Sequence, residues 1–412
     1  MTFQKPKGTE DFLPEEMAQR NAIFSILRNT AVRFCFQEVS TPAIESLSLL
    51  TKKEGEEIKQ QIFTLEKRST EEFGLRFDLT VPITRLFVEQ QKSLQKPVKW
   101  FSIDRMWRYE QPQKGRLREF YQLSAELFGS DSLYADAQII SFALECLEAF
   151  GLSEKDILLR LNSRKLLEAL LIDFIPETKI SDVIRLIDKK SKVAENEFSK
   201  ELGSLGIDAQ KVIALLDTPF PSLSSSRKEA ADCILEMRKL LSLLERYKNY
   251  IQVDLSTARG LAYYTGIVFE VFDRQGKFRA ILGGGRYDNL VELFGGQKTP
   301  ATGFALGYAT LSLLLKEKGM LPKSTNGVDY YIAPLSDAQY PVALKVASFY
   351  RRNHSVEIDI MGRNLGNQFK YASRIPAKKV VIIGDDEIKG KAVTVRDMES
   401  GKEQKIPLSD IL

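Results

Sequence analysis

The sequence predicts an α+β body on an antiparallel sheet, carrying a helical insertion and followed by a small C-terminal α/β domain. Three observations predict this. Strand-like runs at Trp100–Glu110 and Glu119–Phe128 flank QPQKGRLR, a turn with Pro, Gly and basic residues, which reads as a hairpin. From about Leu167 to Tyr247 the texture becomes helical and rich in Leu, Lys and Glu, broken by Pro219, Pro221 and a serine cluster. After LPKSTNGVD (Leu321–Asp329), which has the composition of a linker, strand-like and helical stretches alternate. A chain of 412 residues is long enough for two or three such cores.

Taken in order, the first element is a helix starting at Pro14-Glu15-Glu16, with Ile23, Ile26, Leu27, Thr30 and Phe34 on one face. Glu38–Thr41 follows as a short strand stopped by Pro42, which suits a sheet edge. The hairpin comes next, then the helical insertion. Strand patterning returns at Tyr250–Ser256, Ala262–Phe272 and Phe278–Leu282, and the triplet Gly283–Gly285 leads into a helix reading RYDNLVELF. In the last domain YYIAPL, a helix over Ala338–Arg351, VEIDIM, KKVVIIG and KAVTVRDM imply a mostly parallel sheet. The boundaries drawn are 1–167 and 249–320 for the two parts of the body, 168–248 for the insertion, 321–327 for the linker and 328–412 for the last domain.

Composition narrows the chemistry. Hydrophobic residues at 43%, with 24 Phe and 14 Tyr, fill cores and argue against disorder. No run nears the roughly 20 apolar residues of a membrane span; LLEALLIDFI (Leu166–Ile175) is short and carries two acids. The opening MTFQKPKGTEDFLP lacks a signal-peptide core, and Cys35, Cys146 and Cys233 give neither a disulfide framework nor a zinc spacing, so a reduced, cytoplasmic setting is expected. A net charge of +4 neither requires nor excludes nucleic acid. His354 stands alone, which removes zinc-hydrolase sites and histidine-based triads. Any chemistry falls to carboxylates, arginines, tyrosines and bound metal.

The hairpin is where such groups concentrate. Gln122, Ser124 and Glu126 share one face of the second strand, while Tyr121, Leu123, Ala125 and Leu127 share the other. Arg108 and Glu110 end the first strand on one face, and Lys114, Arg116 and Arg118 lie in or near the turn. Such a face is either a solvated polar surface or the floor of a pocket, with arginines for phosphates and carboxylates for an ammonium or imidazole. Pattern alone leaves both open.

The segment WRYEQPQKGRLREFYQLSAELFG (Trp107–Gly129) resembles motif 2 of class II aminoacyl-tRNA synthetases, in the form found in the histidyl-tRNA synthetase family. LRFDLTVP (Leu75–Pro82) resembles that family's substrate-binding strand. RGLAYYTGIVFE (Arg259–Glu270) and GGGRYDNL (Gly283–Leu290) resemble its two histidine motifs. GFALGYATL (Gly303–Leu311) resembles motif 3, and the first helix with Pro42 resembles motif 1, a dimer element. Residues 328–412, with NQFKYAS (Asn367–Ser373), resemble the class IIa anticodon-binding domain.

The resemblance implies a catalytic core of class II synthetase type that activates histidine with ATP and Mg2+ and passes it to the histidine tRNA, as a homodimer away from membranes. It implies Arg108 on the ATP α-phosphate, Arg116 on the γ-phosphate and Glu110 at the adenine amino group. Asp78, Thr80 and Gln122 would hold the substrate ammonium. Glu126 and Tyr264 would take the imidazole, with Tyr263, Arg286 and Tyr287 as neighbours, and no protein-held metal is implied. Arg259 would sit on the substrate carboxylate and α-phosphate. The glycine triplet either lets backbone pass close to ligand or forms an ordinary turn.

Two positions depart from the family pattern. Thr310, after Ala309, stands where motif 3 usually has an arginine, and Ala262 where the first histidine motif usually has an acid. They keep a second reading in view, a non-catalytic histidine-sensing regulator of ATP phosphoribosyltransferase. The presence of 328–412 and of Arg108, Arg116 and Arg259 favours the ligase.

Overall fold

The computed structural model describes residues 3–52, 60–68, 70–113, 115–190, 193–258, 263–322 and 327–411. Its chain forms two compact units, residues 1–11 with 21–322, and residues 12–20 with 323–412. Lys114, Arg259 and Ala262 lie outside the described residues, as does most of the linker.

The first unit is built on a mixed sheet. In chain order the strands are β1 (Gln37–Glu38), β2 (Ile44–Ser46), β3 (Phe73–Leu75), β4 (Val98–Trp107) and β5 (Glu119–Phe128). After these come β6 (Ile157–Ser163), β7 (Ile251–Val253), β8 (Ile267–Asp273), β9 (Leu282–Arg286) and β10 (Ala301–Gly307). β2 and β3 pair separately; among the described residues the others form one sheet in the order β1-β4-β5-β10-β9-β8-β6-β7. Only the outermost pairings, β1 with β4 and β6 with β7, are parallel. Leu123, Ala125 and Leu127 turn into the main core, which they share with Ile23 and Leu27 of the helix Pro14–Arg33 and with Phe142 of the helix Leu133–Glu148. Burying one face of the sheet this way leaves the other to build a site.

Among the described residues the insertion and the turn of chain leading into it form the α-helices Arg164–Leu171, Glu177–Lys189, Glu195–Ser204, Ala209–Leu216 and Lys228–Leu243. Leu166, Val183, Phe198, Val212 and Leu240 belong to the same buried cluster as the sheet, so the insertion extends that core. In the second unit β11 (Tyr330–Pro334), β12 (Val356–Ile358), β13 (Lys379–Ile383), β14 (Ala392–Asp397) and β15 (Glu403–Pro407) form one sheet. Ile332, Val381 and Val393 face a core with the helix Tyr340–Tyr350, and Tyr331, Ala333 and Val380 face one with the helix Leu365–Arg374. Alternation along each strand thus feeds both faces.

Four expectations need correction. The glycine triplet is not a turn but the middle of β9, and the helix after it is only Leu290–Leu293. The stretch around Phe278–Leu282 is a loop leading into β9, because Asp273 folds the backbone back by accepting the amides of Lys277 (3.0 Å) and Phe278 (2.8 Å). β4 ends at Trp107, so Arg108 and Glu110 lie in the turn region rather than on the strand. The last sheet is parallel only where β11 meets β12 and β13; β14 and β15 add antiparallel pairs, and β15 was not foreseen.

Candidate active site

On the face of β5 away from the main core, Ser124 and Glu126 are each about 1% exposed. This is no solvated surface. A buried carboxylate requires donors, and the fold brings hydroxyls to it. Thr80 Oγ1 donates to Glu126 Oε1 at 2.8 Å, Ser124 Oγ donates to the same oxygen at 2.9 Å, and the Tyr287 hydroxyl donates to Oε2. Thr80 opens the helix Thr80–Gln90, whose first turn tolerates Pro82 and whose Val81 amide is accepted by Asp78 Oδ1 at 3.0 Å. Tyr287 follows β9 directly.

Close strand approach is what allows this. A Cβ on Gly303 of β10 would stand 2.2 Å from Glu126 Oε2, and one on Gly284 of β9 would stand 2.2 Å from the Gly303 carbonyl. With side chains there, β9, β10 and β5 could not hold the register that pairs Gly303 with both Gly285 and Glu126.

Around Glu126 lies a cavity of about 210 Å³ lined by Asp78, Thr80, Arg108, Gln122, Tyr263, Tyr264 and Tyr287, among others. The rings of Tyr263 and Tyr264 lie tilted at 35° with centroids 4.6 Å apart, and Tyr287 meets Tyr263 edge-on at 5.8 Å. The Gln122 Oε1 atom is buried without a hydrogen-bond partner, so the cavity presents an acceptor awaiting a donor. The space is small for a nucleotide and suits one amino acid.

Arg108, Gln122, Gly283 and Ala305 also border a second cavity of about 610 Å³ that includes Glu110 and Arg116. Arg108 donates Nε to the Phe77 carbonyl at 3.0 Å and covers the Phe120 ring at 5.3 Å, which fixes its guanidinium at the junction. Glu110 and Arg116 form an ion pair across the turn. Burial, with the nearby guanidiniums of Arg279 and Arg108, holds the Arg116 pKa below its ordinary value.

All the site residues expected from the sequence that the structure describes therefore border one of two adjoining cavities. Arg286 does not join them. It is buried against Asp136 (2.9 Å) and Asp288 (3.1 Å), tying β9 to the helix Leu133–Glu148. Burial would lower its pKa, but these carboxylates raise it overall. Sequence reasoning missed Asp188, Glu270 and Arg279 in the larger cavity. They are charges from the insertion, β8 and the β8–β9 loop, and only the fold brings them to the hairpin. Mg2+ generally takes one or two carboxylates and completes its shell with phosphates and water. Among the described residues no three His, Cys, Asp or Glu side chains form a metal cage, but Asp188 and Glu270 suit that lighter demand.

Comparison with known proteins agrees with the geometry. The family model for histidyl-tRNA synthetase matches residues 8–311, and that for an anticodon-binding domain matches residues 329–412. The histidine–tRNA ligase of Haloarcula marismortui is 38% identical, with 99% of this chain and 96% of the relative covered. That of Pyrococcus horikoshii is also 38% identical, over 100% and 98%. The crystal structure of histidyl-tRNA synthetase from Nostoc superposes with a TM-score of 0.82 at 27% identity, covering 100% of this chain and 98% of that one. Since both family models match in the order the fold requires, and full-length relatives exceed a third identity, the chain belongs to the histidyl-tRNA synthetase family.

Proposed function

We propose that the protein is a histidine–tRNA ligase. It joins the histidine carboxylate to the α-phosphate of ATP, releasing pyrophosphate, and then passes the histidyl group to the 3′-terminal ribose of the histidine tRNA, releasing AMP. The observation that carries this is the amino-acid-sized cavity around Glu126, meeting a nucleotide-sized one at Arg108.

Imidazole is both donor and acceptor. Glu126, already oriented by Thr80, Ser124 and Tyr287, accepts from one ring nitrogen, and the Tyr264 hydroxyl addresses the other. Asp78, Thr80 and Gln122 take the ammonium, with the unpartnered Gln122 oxygen as one acceptor. The carboxylate then points to the junction. There Arg108, joined by Arg259, neutralises charge as the carboxylate oxygen attacks the α-phosphorus and the bond to the β-phosphate bridge breaks. Glu110 reads the adenine amino group and Arg116 the terminal phosphate, so their ion pair opens as ATP enters. When bound, Mg2+ would offset phosphate charge, and Asp188 and Glu270 of the cavity wall are the residues that would hold it.

The domains follow the boundaries drawn above, with 1–167 and 249–320 as the catalytic core, 168–248 as the insertion, 321–327 as linker and 328–412 holding the anticodon stem. The working form is a cytoplasmic homodimer. Histidine-dependent exchange of pyrophosphate into ATP tests the activation step without tRNA; no exchange by the folded protein would overturn the reading and return the regulator to first place.

A further inference from the structure

The larger cavity holds a cation that the reaction above leaves unused. Arg279 borders it from the loop between β8 and β9. That loop is fixed along its length. Asp273 accepts two of its amides, Arg274 donates to the carbonyls of Glu154 and Asn249 (2.5 and 2.8 Å), and Lys277 pairs with Glu317 at 2.5 Å. Buried Ile281 donates to the Val271 carbonyl at 2.7 Å and accepts from the Gly307 amide at 3.0 Å. Arg279 thus rides on set backbone, between Phe278 packed on the core and Ile281, with its own side chain exposed.

Among the described residues no carboxylate lies within ion-pair distance of Arg279, whereas Arg116 is engaged by Glu110. The first turn of the helix Tyr308–Glu317 borders the same cavity with neutral Ala309 and Thr310 only. Asp188 and Glu270 add negative charge to the wall. Clustered guanidiniums repel without a counter-anion, and an oligophosphate between them relieves this. We propose that Arg279 is a contact of this chain for the β- and γ-phosphates of the nucleotide, delivered by the β8–β9 loop. The inference rests on the reading of the larger cavity as the ATP site.

The test is calorimetric binding of ATP and of AMP to wild type, Arg279→Ala and Arg279→Lys, run beside histidine-dependent pyrophosphate exchange. Arg279→Ala should weaken ATP about ten- to thirtyfold and leave AMP unchanged, with Arg279→Lys between, because an ammonium keeps charge but not the fork. In exchange, the KM for ATP should rise while that for histidine stays. An equal loss for ATP and AMP, or an unchanged ATP affinity, overturns the proposal. A wild type that binds ATP without exchanging overturns the ligase reading instead, and the ATP-to-AMP contrast still decides Arg279.

Discussion

At the scale of single residues, the proposed function makes Glu126 the centre of specificity. Its carboxylate is buried and already accepts from three hydroxyls, so it is oriented before substrate arrives. Glu126→Ala removes a charge-assisted contact to the ring and strands Thr80 and Tyr287. Histidine kcat/KM should fall about thirtyfold or more with the KM for ATP little changed, as steady-state exchange would reveal. An unaltered value in the soluble variant would take Glu126 out of the pocket. The role proposed for Arg259 bears on a different quantity. The pentacoordinate α-phosphate gathers charge absent from the ground state, so a guanidinium aimed there lowers the barrier more than it aids binding. Arg259→Ala should cut kcat for activation by about 10²- to 10³-fold, and lysine should restore only part of it. Exchange at the wild-type rate would refute that role. The residue types and spacing of these groups were legible in the sequence. The burial of Glu126 was not, because alternation on a strand reads the same whether the polar face meets water or a closed pocket.

At the scale of elements, the strongest local signals held where side chains dictate them. The stripe Ile23, Leu27 and Thr30 of the first helix is buried as periodicity implied. The sequence leaves the glycine triplet between two readings because glycine marks both turns and close backbone approach; what rules out the turn, the Gly303 carbonyl 2.2 Å from a would-be Cβ on Gly284, lies in another strand. The helix Tyr308–Glu317 is tied at its far end by a pair equally invisible to local pattern. Lys318 donates to Asp156 at 2.6 Å, and Ser153 supplies two further hydrogen bonds. The Lys318 bond, then those from Ser153 against the opposing effect of burial, hold the Asp156 pKa below its ordinary value. A depressed carboxyl pKa stabilises the fold above the unfolded value near ~4, and the contribution is lost as pH falls through the lower folded value. Asp156→Asn should therefore cost about 1 kcal/mol at pH 7 and flatten the acid limb of a stability-against-pH curve from urea melts. An acid limb identical to wild type would show that the pair contributes nothing.

At the scale of the whole molecule, the first-helix stripe is consumed inside the protomer, so a dimer must pair through other surface. β1, at the edge of the large sheet, with the exposed Val32 and Ile44 near it in sequence, is one such segment among the described residues. Sedimentation at micromolar concentration should give about twice the chain mass of 46.7 kDa, and a monomer that still exchanges pyrophosphate would exclude the dimer as a requirement. The C-terminal unit has its own two-faced core, and it offers cations stacked on rings, Arg363 over Tyr371 at 4.2 Å and Arg396 over Phe369 at 5.2 Å. Guanidinium and aromatic planes are what unstacked RNA bases and their phosphates bind. On the proposed reading activation uses the two cavities of the first unit, whereas charging must also hold a long tRNA in register. Deleting residues 328–412 should therefore leave histidine-dependent exchange within about threefold of wild type while tRNA charging falls by about 10²-fold or more, with kcat/KM for tRNA as the readout. Residues 12–20 group with the C-terminal unit, so the truncation also strips packing from the start of the first helix and should lower the melting temperature. Loss of exchange together with charging, in a truncated protein that still melts cooperatively, would mean that residues 328–412 shape the active site itself.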